Sequence, residues 1–183
     1  MQLKFLSLSL LVSGSLAAPI ENSLLATQDT SLIKRAYTDL GTAYKVLQSA
    51  FSELNYSNGR PVSASRVPPS HQQIIDLFRQ TGQVLFRQPQ LGLVEAAGLV
   101  GPATELARNI EAALTVVVMA KPIVARTNER DAVSQMLSVQ FTENAAWVNG
   151  ILALFPRSEK AAASRVSDEV NAAYKKAMTA YAR

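Results

Sequence analysis

"SLIKRAYTDLGTAYKVLQSAFSEL", residues 31–54, carries Ile33, Tyr37, Leu40, Tyr44, Leu47, Phe51 and Leu54 at alternating steps of four and three. That spacing puts large apolar side chains on one stripe of a helix, the pattern of a helix packed lengthwise against others. Outward from this stretch the chain keeps a helical period, punctuated by proline and glycine. The first helix is expected over residues 36–54, followed by the turn-rich "NYSNGRPVSASRVPPS". Ser70-His71-Gln72-Gln73 then reads as a capping box opening a second helix, with Ile74, Leu77 or Phe78, Thr81 and Leu85 facing inward and Pro89 ending it.

A short helical piece through Gly98 and a break at Gly101-Pro102 lead to a helix over 103–120. Leu106, Ile110, Ala113, Leu114 and Val117 keep its period. Its β-branched run Val116, Val117 and Val118 sits between strong helix formers, which decide the assignment. Pro122 closes or kinks that segment. Thr127 or Asn128 is expected to cap a long helix with Val133, Met136, Leu137, Phe141, Ala145, Val148, Leu152 and Phe155 inward, stopped by Pro156. A last helix opens at Ser158, its seam formed by Val166, Val170, Ala173, Ala177 and Tyr181. No segment alternates as a strand would. The fold class is therefore all-α: one domain, residues 36–183, built as an up-and-down bundle of about five helices.

The start of the chain speaks of compartment. Lys4 followed by the apolar "FLSLSLLV" and the small-x-small signal Ser15-Leu16-Ala17 reads as a secretory signal peptide over residues 1–17, cut after Ala17. Residues 18–35 then form a polar extension ending in the dibasic pair Lys34-Arg35. Two readings of that pair stand: the end of a propeptide, or a solvated patch on a continuous first helix. The sequon Asn55-Tyr56-Ser57 marks Asn55 for glycosylation in a secreted protein. The longest remaining apolar run, "AALTVVVMA", is too short to span a bilayer, so no transmembrane segment is expected.

Composition narrows the chemistry. With no cysteine and His71 as the only histidine, there is neither a thiol nucleophile nor a cluster of zinc ligands. A nucleophile elbow is missing, and the carboxylates sit where caps and solvated faces want them. Neither catalysis nor a cofactor is expected. The net charge of +4 is spread along the chain without a basic stripe, which argues against nucleic acid.

What remains is an apolar interior rich in small residues, among them Ala107, Ala113, Ala145, Ala173 and Ala177. Small residues on facing helices either let the helices close on one another or leave a cavity between larger neighbours. In the hollow case an acyl chain is a natural ligand, because each buried CH₂ contributes ~0.8 kcal/mol. Leu106, Ile110, Leu114, Val117, Met136, Leu137 and Phe141 are the candidate lining, with Lys121, Arg126, Ser134 and Asn144 available to a polar head. The Gly-hinged "LGLVEAAGLVG" offers a second use, lying on a hydrophobic surface. In the solid case the protein is an interaction module for an extracellular protein or glycan.

A first helix opening "IKRAYTDLGTAYKVLQSAFSEL", the lack of cysteine, the Ala/Val/Leu-rich bundle and the long "DAVSQMLSVQFTENAAWVNGILALFP" together resemble the fungal hydrophobic surface-binding protein A family, also called cell wall galactomannoproteins. The resemblance implies a secreted or cell-wall-associated helical protein without enzymatic activity. Such a protein binds hydrophobic surfaces or carries fatty acids in a central cavity, and some relatives help recruit secreted hydrolases. Wall-tethered relatives end in a Ser/Thr-rich stalk and a hydrophobic tail, whereas this sequence ends "AAYKKAMTAYAR", so free secretion is expected.

Overall fold

The computed structural model describes residues 30–56, 61–85 and 87–182. Five long helices dominate: α1 Ser31–Tyr56, α2 Val67–Leu85, α4 Val100–Met119, α6 Arg130–Leu154 and α7 Arg157–Tyr181. Two short ones, α3 Leu93–Ala97 and α5 Lys121–Arg126, make corners, and a 3₁₀ turn, Val62–Ala64, precedes α2. No strand occurs among the described residues. Consecutive long helices alternate in direction, and side by side they form a ring in the order α1, α2, α6, α7, α4.

The stripe on α1 forms one wall of the core: Ile33, Tyr37, Leu40, Tyr44, Leu47, Phe51 and Leu54 are all buried. Each such burial contributes on the order of 2 kcal/mol, which is why this segment dominates the fold. A ring of five helices leaves an axial space, and large aromatics fill much of it. Tyr37 meets Trp147 edge to face at 5.4 Å, Phe78 lies 5.7 Å from Trp147, and Phe141 lies 5.7 Å from Tyr174. The Tyr44 and Tyr174 hydroxyls share a hydrogen bond across the bundle, and the Tyr181 hydroxyl donates to the Val117 carbonyl at 2.7 Å. Burial pushes four of the five tyrosines, Tyr37, Tyr44, Tyr174 and Tyr181, well above the ordinary phenol range. Close approach of α1 and α4 is set by Gly41, where a Cβ would stand 2.9 Å from Asn109 Nδ2.

Several helix starts differ from the sequence reading. α2 begins at Val67, with Pro68 and Pro69 in its first turn, where a missing N–H leaves nothing unpaired. Ser70 is thus inside the helix and donates to the Arg66 carbonyl at 2.7 Å, so the capping box is not formed; Ser65 Oγ accepts from Val67 N instead, at 3.1 Å. Gly101-Pro102 is likewise no break but part of the first turn of α4, which begins at Val100. Thr127 and Asn128 end α5 rather than cap α6. Thr127 Oγ1 donates to the Val124 carbonyl, and Asn128 takes a left-handed φ of 56°.

Glu129 precedes α6 but serves a distant segment. Its carboxylate accepts from the backbone N–H groups of Val62 and Ser63, fastening the connection between α1 and α2 to the corner before α6. Desolvation raises its pKa, but bonds from Ser63, Val62 and Thr127 outweigh that and hold the carboxyl below its ordinary value. Glu129→Ala should therefore lower stability at pH 7 by about 1 kcal/mol, since charged hydrogen bonds at a half-open site keep only part of their strength. A group whose folded pKa is depressed stabilises above its unfolded value. In urea melts the gap between wild type and variant should hold down to about pH 4.3, then close as pH falls through the lowered folded value.

Lys34 and Arg35 are exposed on the first turns of α1, and Arg35 Nε lies 3.6 Å from Asp39. Asn55 lies in the last turn of α1. Ala17 and the rest of the signal and extension through residue 29 lie outside the described residues.

Candidate ligand cavity

Toward the end of the ring where α6 turns into α7, an apolar cavity of about 70 Å³ lies between α4, α6 and α7. α4 contributes Ala103, Leu106, Ala107 and Ile110, with Leu99 just before it; α6 contributes Asn144, Trp147, Val148, Ile151 and Leu152. Tyr37 of α1, Phe155 at the α6–α7 corner, and Ala162, Ala163, Val166, Ser167 and Val170 of α7 complete the wall. No charged residue lines it. The antiparallel run of α6 against α7 gives the cavity a direction. Leu99, Leu152, Phe155 and Ala162 stand at its outer end, and Ile110, Asn144 and Val170 at its inner end.

Two features of sequence create it. One is small side chains: Ala103 and Ala107 on α4 and Ala162 and Ala163 on α7 leave space that larger residues would take. The other is the loose seating of α7, whose residues 157–169 include none that is fully buried. Its second half is fixed by Val170, Tyr174, Ala177 and Tyr181, all buried, and by the two tyrosine hydrogen bonds. α7 is thus fastened at one end and thinly packed over the cavity at the other.

The candidate residues named from sequence separate into three groups. Leu106 and Ile110 line the cavity. Leu114 borders a different, outer groove between α4 and α7, with Val118, Met119 and Ala173. Met136 borders a groove near Val62 and His71, whereas Val117 and Leu137 are fully buried in the core and Phe141 packs on Tyr174. Missed by that reading were Trp147 and Ile151. The buried line of α6 runs Val133, Met136, Leu137, Gln140, Asn144, Trp147, Ile151 and Leu154, one position round from the apolar stripe expected through Phe141, Ala145, Val148 and Leu152. Two amides stand where hydropathy alone would demand apolar residues. Trp147, the single tryptophan, was the available signal: its indole N–H donates to Thr81 Oγ1 at 2.8 Å, so one large residue ties α6 to α2 and walls the cavity.

Of the possible head-group residues, only Asn144 reaches the cavity. His71, pulled below its ordinary pKa by burial, shares the groove of Met136 with Ser63 and Glu129. No hydrogen bond joins it to either, and Glu129 is occupied by backbone N–H groups. Among the described residues no cluster of acidic and histidine side chains fit for a metal ion occurs, and no helix is long and apolar enough to cross a membrane.

No protein-family model matches the chain, and no curated protein matches it in sequence. Solved structures do match in shape. Ligand binding domain 2 of the Penicillium marneffei MP1 protein, complexed with multiple arachidonic acids, superposes with a TM-score of 0.78 at 21% identity, over 85% of this chain and 97% of that one. Domain 1 of the same protein, complexed with arachidonic acids, gives 0.77 at 20% identity over 84% and 99%. AfMP4p in complex with palmitic acid gives 0.77 at 17% identity, again over 84% and 99%. At these identities the likeness establishes the fold: this chain adopts the all-α architecture of those fungal ligand-binding domains.

Proposed function

We propose that the protein is a secreted, non-enzymatic carrier of acyl lipids, holding the chain of a fatty-acid-like ligand in the cavity between α4, α6 and α7. The observation that carries this reading is a cavity walled by Leu, Ile, Val, Ala, Trp and Phe side chains and free of charge. Such a wall offers an alkyl chain burial and little else, which suits a ligand recognised by its length. The volume of about 70 Å³ is room for roughly two water-sized groups, so a long chain enters as the thinly packed half of α7 moves outward. The fatty acids held by the structural neighbours support the same ligand class. The signal sequence at residues 1–17 supports secretion, with Lys34-Arg35 a processing site and Asn55 a glycan site.

Native mass spectrometry of the protein from a secreting host, before and after incubation with C16 acids, alcohols and esters, tests the reading. The expected result is a stoichiometric adduct that raises the melting temperature. A protein that retains no acyl compound and gains no stability from any would refute it.

A second use of the same end of the bundle has its own observation. Val94 is 83% exposed, Leu93 58% and Val100 48%, and Val100 also lines the cavity. This apolar patch at the outer end fits contact with a hydrophobic surface from which a ligand is taken up.

A further inference from the structure

Few polar groups interrupt the apolar wall, and one of them is buried without a partner. Asn144, only 2% exposed, lines the inner end of the cavity, and its Nδ2 has no hydrogen-bond partner among the described residues. An unpaired buried amide is destabilising, and leucine in its place would avoid that cost. Of the other polar residues on the wall, Ser167 is partly open to solvent, the Trp147 N–H is taken by Thr81, and Tyr37 packs its ring edge to face on Trp147.

Resting on the acyl-lipid reading, we infer that Asn144 Nδ2 is the donor that anchors an uncharged oxygen of the ligand at the inner end of the cavity. The site therefore selects neutral-headed lipids, such as long-chain alcohols and esters, over ionised fatty acids. The charge argument decides the class. No Lys, Arg or His lines the cavity, so a carboxylate brought to Asn144 would lose its hydration with no cation beside it. A hydroxyl or ester carbonyl needs only one donor, and Asn144 supplies it. The ligand then lies head inward, its chain running past Ile151 and Leu106 toward Leu99 and Phe155.

Binding of hexadecanol, hexadecane and palmitate at pH 8 to wild type and to Asn144→Leu tests this. Wild type should bind hexadecanol at least tenfold more tightly than palmitate, and also more tightly than hexadecane. In Asn144→Leu the advantage of the alcohol over the alkane should vanish, while the variant melts at a higher temperature than wild type. Asn144→Ser, whose hydroxyl is too short to reach the head, should lose the same advantage if the leucine variant fails to fold. An unchanged alcohol-to-alkane ratio in the variants, or palmitate bound as tightly as hexadecanol, would overturn the inference while leaving the acyl reading intact. Failure of all three ligands to bind wild type would instead sink the acyl reading, and this inference with it.

Discussion

Ala107→Leu should reduce acyl-lipid affinity roughly 50-fold while the bundle stays folded. Ala107 is 7% exposed on α4 and lines the cavity, so three added carbons occupy most of a space of about 70 Å³. Displacing about three methylenes of ligand, each contributing ~0.8 kcal/mol, gives the stated factor. The protein's own stability should change little, because the new methyls fill space that is open, with at most about 2 kcal/mol lost to overpacking. The matching control is Ala173→Leu, on the outer groove beside Leu114, where binding should stay within about twofold of wild type. Titration of a fluorescent acyl probe reads both. Full binding by Ala107→Leu, or loss in Ala173→Leu alone, would place the ligand in the outer groove.

Alkali should unfold the protein within a narrow window above pH 10. Burial raises the pKa of Tyr37, Tyr44, Tyr174 and Tyr181, and in the unfolded chain these phenols ionise near 10. Below that pH neither state loses the proton and stability is unaffected. Above it the unfolded chain releases protons that the folded one retains, so stability falls with a slope of about 1.4 kcal/mol per pH unit for each phenol. Four together remove roughly 5 kcal/mol per unit, against a total of about 5–15 kcal/mol for a domain. Circular dichroism at 222 nm should drop between about pH 10 and 12, together with the rise of tyrosinate absorbance. A chain that ionises its tyrosines while still helical would contradict the buried placement of these rings.

The fold was legible because α1 advertises itself. Its apolar residues are large, regularly spaced and uninterrupted by polar ones, so periodicity and burial coincide from Ile33 to Leu54. Helix starts were harder, since proline signals a stop and a first turn with equal force; Pro68, Pro69 and Pro102 all proved to lie in first turns. The cavity was half legible. Leu106 and Ile110 belong to a stripe that hydropathy finds, as do Val148, Leu152 and Phe155, but Trp147 and Ile151 lie on the buried line that the core amides Gln140 and Asn144 displace from it. Nor does a list of alanines say which face across a gap. Ala107 does, whereas Ala113 and Ala177 are packed solid at 0% exposure.

If the cavity holds an acyl lipid as proposed, the uneven fastening of α7 sets a clock for it. A lipid sealed by a uniformly tight bundle would leave only on global unfolding, and its residence time would be tied to the stability of the whole protein. Here the Tyr44–Tyr174 and Tyr181–Val117 bonds hold one half of the helix while residues 157–169 sit on the surface of the core. Release then requires only partial opening, whose free energy lies far below that of unfolding. On that reading dissociation would be governed by how well that half-helix packs, and substitutions there would tune how long a lipid is carried more than how long the carrier survives.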